Sequence, residues 1–196
     1  IGANPEYVRA ATHEIAAIFS KAQPLATLGH GAEAGFLPDN NNDGFALISR
    51  MSNPEPEVVA VIAPHTAVGK PGKIVGATLG NDVNMQDIEN CGTLFRNSCK
   101  DGGNAGCTVG PFIRLFDEHF SMKDVREMEV NMAIEGKDGF RYDGTSSMAQ
   151  ITRDPEALVH QMTMQHQYPD GAAVFCGTMC PPPETRLGEK ATHKRG

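Results

Sequence analysis

The chain has 196 residues, 40% of them hydrophobic, and carries a net charge of −7 with a pI near 5.5. That length and apolar content suffice for one sizeable core, while the acidic balance argues against a nucleic-acid surface, which needs positive charge to meet phosphates. The longest apolar stretches, such as Val58 to Ala63, fall far short of the roughly 20 residues of a spanning helix, so no membrane partner is expected.

From the N-terminus, Val8, Ala11, Ile15 and Ile18 recur near helical spacing and predict a helix over Pro5 to Lys21. Asn4 would cap it, Pro5 would sit in its first turn, and Pro24 closes the region. His13-Glu14 would open a zinc-protease motif, but the second histidine is replaced by Ala17 and the motif is discarded. No basic region precedes the short apolar run Ile15 to Phe19, so no signal sequence is expected. Position 1 is Ile rather than Met, as expected of a mature or cropped chain. Asp39 to Gly44 matches the first half of an EF-hand calcium loop, yet Arg50 stands where the bidentate glutamate belongs, and the segment reads as a polar surface turn.

Beyond Pro54 the texture changes to short β-branched runs punctuated by Gly, Pro, Asn and Asp, which is strand grammar. The expected strands are Glu57 to Ala63, Lys73 to Leu79, Thr108 to Leu115, Glu127 to Ile134 and Ala172 to Cys176. Two helices are expected among them, a short one around Asn84 to Glu89 and a longer one from Asp154 to Met164, with Asp154 as cap and Pro155 behind it. Five cysteines, Cys91, Cys99, Cys107, Cys176 and Cys180, match neither a disulfide framework nor a zinc knuckle. They read as free thiols in a reducing, cytoplasmic setting.

The most informative residues flank the first two strands. In an extended chain, residues i and i+2 project to one side, so Glu55 and Glu57 can present two carboxylates to one point, and Asp82, after the second strand, can add a third. Acidic pairs ahead of a strand are usually no more than a solvated lead-in. A donor set of oxygens alone would favour Mg2+, Mn2+ or Ca2+.

The runs PEPEVVAVI, KIVGATLGNDVNMQDIE, CKDGGNAGCTVGPFIRLFD, YDGTSSMAQITRDPEALVHQM and YPDGAAVFCGTMCPPP, taken in order, resemble the fumarylacetoacetate hydrolase family. The resemblance covers about residues 54 to 195 and implies an α+β, strand-rich fold, the mixed β-roll of the family's C-terminal domain. It divides the chain into an N-terminal helix and connecting region, residues 1–53, and a catalytic domain, residues 54–196. Because the family continues through further strands, the chain reads as a fragment or a divergent member.

The family's metal ligands match Glu55, Glu57 and Asp82, and its active-site lysine matches Lys100. Gly177-Thr178 resembles a Thr-Gly-Thr turn that can hold a substrate oxygen, with Cys176 in place of the first threonine. Gly144 to Met148 matches another family run and reads on its own as a Ser-rich turn. Gln86 stands where the family usually has an arginine, which removes a bidentate carboxylate partner and puts substrate preference in question.

What the resemblance implies is a homodimeric enzyme that uses Mg2+, or Mn2+ or Ca2+, on a small-molecule 2-oxo acid through a metal-stabilised enolate. The details PEPE, GNDV, SSM and YPDG are most similar to the branch that dehydrates 2-keto-3-deoxy sugar acids. Hydrolysis of a C–C bond in a 1,3-diketo acid, decarboxylation of oxaloacetate, and a non-catalytic relative are the alternatives. No general base is legible: His65, His119 and His166 are candidates by chemistry alone.

Overall fold

The structure is a computed structural model that describes residues 16, 18, 21, 27–32, 36–37, 46–47, 52–85, 106–178, 185–186 and 189–190. Its strands are β1 (Phe36–Leu37), β2 (Ala46–Leu47), β3 (Ser52–Asn53), β4 (Pro56–Ile62), β5 (Ile74–Asp82), β6 (Asn84–Met85), β7 (Cys107–Val109) and β8 (Arg114–Leu115). After helix α1 (Met122–Glu127) come β9 (Glu129–Glu135), β10 (Arg141–Ser147), helix α2 (Pro155–Thr163), β11 (Ala172–Phe175), β12 (Thr185–Arg186) and β13 (Glu189–Lys190). The fold is therefore strand-rich α+β, as expected. No helix among the described residues is long and apolar enough to cross a membrane.

The main sheet is antiparallel and runs β11-β4-β5-β7, with β8 also paired to β5. At its centre Val58, Val59 and Ala60 are all fully buried, so β4 is covered on both faces and reads as a continuous apolar run rather than an alternating one. On one face Val58, Ala60, Ile62, Ala77 and Val174 pack against Val125 of α1, Val130 of β9, and Leu158 and Val159 of α2. Alternation along the strands sends Glu57, Val59, Thr78, Gly80 and Phe175 to the other face. The site described below therefore shares a sheet with the core but not a face.

The strand expected over Thr108 to Leu115 is split. Pro111 has no N–H to offer a ladder, so β7 pairs with Gly80–Asp82 and β8 with Gly76–Ala77, and the chain arcs between them. Thr78 bridges the gap by donating its hydroxyl to Phe112 O at 2.6 Å. A Cβ on Gly76 would stand 2.5 Å from Arg114 O, which explains why glycine occupies that crossing. The sequence reading also began β9 two residues early and overlooked α1. This helix is only six residues long, with the Ser121 amide and hydroxyl both donating to Asp124 Oδ2, and so carries too little periodicity to read.

Gly144 to Ser147 lies in β10, not in a turn; it pairs with β9, where Thr145 donates to Asn131 Oδ1 at 2.9 Å. Asn84 and Met85, expected to start a helix, pair as β6 with β3, and residues 86–89 lie outside the described residues. The helix expected over Pro5 to Lys21 falls mostly outside them too. At the three positions that are described, Ala16, Ile18 and Lys21, the backbone is not helical. Ala16 instead donates its N–H to Gln161 Oε1 and accepts from Gln161 Nε2, which ties the N-terminal segment to α2.

The α2 start matches its reading: Asp154 accepts from the Glu156 N–H at 2.9 Å, with Pro155 at the first helical position. Arg126 of α1 donates to the same carboxylate and, chiefly for that reason, holds Asp154 below the usual carboxylate range. Asp154→Ala should cost about 1 kcal/mol and lower Tm by roughly 2–4 °C. Because the folded value is depressed, this contribution is complete above the ordinary value of 3.8 and disappears as pH falls through the lowered one. Thermal melts of both proteins at neutral and strongly acid pH should therefore show the difference shrinking in acid.

Candidate metal centre

The pairing of β4 with β5 builds the site. Pro56 lies opposite Asn81 and Glu57 opposite Gly80, and one step beyond the strand the Asp82 N–H donates to Glu55 O at 2.9 Å. Residues directly opposite each other share a face, so Glu55, Glu57 and Asp82 converge, and one ligand-type oxygen from each lies within 4.8 Å of the others. Asn81 steadies the approach from beneath by accepting the Glu55 N–H on its Oδ1 at 2.9 Å.

Three carboxylates so close repel one another, and Glu57 is only 4% exposed. Burying charge in this way is costly unless hydrogen bonds or cations compensate it. Two compensations are built in. The Gly177 N–H donates to Glu57 Oε2 at 2.6 Å, from a backbone with φ +97°, a left-handed conformation that favours glycine. Lys21 places its Nζ 2.6 Å from Asp82 Oδ1 and donates to Val83 O at 2.8 Å. Oxygen donors of this kind, with no thiolate or imidazole among them, suit a hard divalent cation.

Of the expected site residues, Glu55, Glu57, Asp82 and Gly177 come together, and Thr178 follows Gly177 directly. Gln86 and Lys100 lie outside the described residues. The histidines do not join the cluster. His65 is buried three residues beyond the far end of β4 from Glu57. His119 is largely exposed in a turn beside Glu118, and His166 is exposed after α2. Cys107 and Cys176 are buried free thiols, as read from the sequence, and Cys91, Cys99 and Cys180 lie outside the described residues. Burial pushes the Cys176 thiol up to about 12, so it stays neutral beside Glu57. Sequence reasoning missed Lys21, which carried no signal beyond its place at the end of an apolar periodic run.

Comparison with known proteins agrees with this geometry. The chain is 28% identical over 165 residues to a probable 2-keto-3-deoxyxylonate dehydratase of Haloferax volcanii, an alignment spanning 84% of the chain and 50% of that relative. It superposes on a solved 2-keto-3-deoxy-D-arabinonate dehydratase, complexed with magnesium and 2,5-dioxopentanoate, with a TM-score of 0.68 and 25% identity over 91% of the chain. The chain is thus similar to 2-keto-3-deoxy sugar acid dehydratases, the branch to which its sequence motifs point. The apo form of the arabinonate dehydratase gives the same TM-score at 23% identity and supports the fold. No family model matches. The chain spans about half the length of the curated relative and 57% of the solved dehydratase.

Gly80 is the point at which fold and site meet, because it faces Glu57 across the ladder. A Cβ there would lie 2.5 Å from Phe175 Cε1 and 2.6 Å from Cγ2 of the fully buried Val59. Gly80→Ala should destabilise the protein by about 1–3 kcal/mol through overpacking. A thermal melt should register this as a fall in Tm of roughly 3–10 °C.

Proposed function

We propose that the protein carrying this chain is a divalent-metal-dependent dehydratase of 2-keto-3-deoxy sugar acids, and that Glu55, Glu57 and Asp82 hold its metal ion. The observation that carries this reading is the convergence of those three carboxylates on one face of the β4–β5 pair, in a chain related to dehydratases. Magnesium is the favoured ion, since the donors are all oxygens and the arabinonate dehydratase is complexed with it. Such an ion, once bound, supplies Lewis-acid polarisation of the 2-oxo group.

The chain's own residues do the rest. Glu57 and Asp82 are held in place by Gly177 and Lys21 and need little reorganisation to receive a cation. Lys100 supplies a positive charge for the substrate carboxylate, Thr178 a hydroxyl for a substrate oxygen, and Gln86 a neutral contact in place of the family's arginine. The reaction removes a proton from carbon 3 and the hydroxyl from carbon 4, so one molecule of water is lost, and transfer of a carbon 5 proton to carbon 3 and of the 5-hydroxyl proton to carbon 4 then turns the resulting 3-ene into a 2,5-dioxo acid. Residues 54–196 constitute the family's β-roll domain in this proposal, and the enzyme works as a cytoplasmic homodimer.

Calorimetry with Mg2+ or Mn2+, with and without oxalate as a mimic of the chelating 2-oxo acid, tests the metal centre. Native protein should bind the ion, and oxalate should tighten binding. Glu57→Gln should weaken it at least about tenfold. Turnover of 2-keto-3-deoxy-D-arabinonate to 2,5-dioxopentanoate then tests the reaction. Pyruvate release from oxaloacetate in its place would identify a decarboxylase, and oxalate-tightened binding with no turnover of either acid would identify a non-catalytic relative.

A further inference from the structure

Lys21 is 9% exposed at its side chain and Asp82 is 15% exposed, so their 2.6 Å contact is largely shielded from water. The ammonium is held on its other side by Val83 O at 2.8 Å, which fixes it against the end of β5. Asp82 Oδ1 consequently faces the Lys21 ammonium in an ion pair that is not aligned as a hydrogen bond, whereas Glu57 Oε2 accepts the Gly177 N–H. Each of these two carboxylates is thereby restricted as a donor, because binding a cation through both oxygens would mean giving up the ion pair at Asp82 or the hydrogen bond at Glu57.

We infer that Lys21 is a positioning residue that makes Asp82 a one-oxygen ligand and so selects small octahedral ions, Mg2+ and Mn2+, against Ca2+. The inference rests on the metal-centre reading above. Ca2+ takes six to eight oxygens and commonly draws two from one carboxylate, whereas Mg2+ demands near-octahedral geometry with single oxygens from each ligand. A tether on one carboxylate oxygen therefore penalises the larger ion more than the smaller one. Electrostatic repulsion between the Lys21 ammonium and the bound ion is nearly the same for both, since both are dications, and cancels in the ratio of their affinities.

The test is calorimetric titration of the protein with Mg2+, Mn2+ and Ca2+, in the native form and as Lys21→Met. Native protein should favour Mg2+ and Mn2+ over Ca2+, and Lys21→Met should narrow that preference by about tenfold or more, the scale on which partners of metal ligands act. An unchanged ratio, with both affinities merely shifted together, overturns the assignment to Lys21 and leaves the metal centre standing. Failure of the native chain to bind any of the three ions overturns both. A crystal structure of the native protein loaded with Mn2+ decides the matter should Lys21→Met fail to fold. Asp82 bound through one oxygen with Lys21 on the other supports the inference, and Asp82 bound through both overturns it.

Discussion

The register between β4 and β5 is the constraint on which everything else in this protein depends. With Pro56 opposite Asn81, Asp82 comes level with Glu55, and all three acidic side chains leave the sheet on the same side. A slip of one residue would turn Asp82 to the opposite face and send Ala77 out of the core with it. The apolar pattern that fills the core and the acidic pattern that builds the site are thus enforced by one set of backbone hydrogen bonds. The buried valines of β4 stabilise the pairing, and the carboxylates take their positions from it.

The sheet keeps these two roles apart by facing them in opposite directions. Val58, Ala60 and Val174 meet α1, β9 and α2, while Glu57 and Gly80 lie on the other side with Val59 and Phe175. Gly80 matters here because the absence of a side chain lets Phe175 and Val59 close over the space opposite Glu57. A dry surround of this kind strengthens every charge interaction within it, which is why the carboxylates need the Gly177 amide and the Lys21 ammonium.

Similarity to 2-keto-3-deoxy sugar acid dehydratases suggests a chemical use for that arrangement, and the chain covers about half of the curated relative. Contacts at the cluster come from distant parts of the sequence, Lys21 from the N-terminal segment and Gly177 from beyond β11. Cys176, buried and neutral, does not add charge to the carboxylate cluster.

The sequence by itself determined the parts that obey local periodicity or local chemistry. The Glu55-Pro56-Glu57 alternation, the β-branched run of β4, and the Asp154-Pro155 start of α2 were all legible, because each is decided by residues within a few positions. Asp82 was legible as a third carboxylate from its place after the second expected strand, and the resemblance matched it to a metal ligand. Short elements such as α1, and the split of one expected strand at Pro111, escaped because six residues or one proline carry too little pattern to be weighed against their surroundings. Only the tertiary structure decided that Lys21 meets Asp82 and that Gly177, 120 residues from Glu57, donates to its carboxylate. Contacts of that span are set by how the sheet closes and how the N-terminal segment docks, and neither event leaves a periodic trace in the residues that take part.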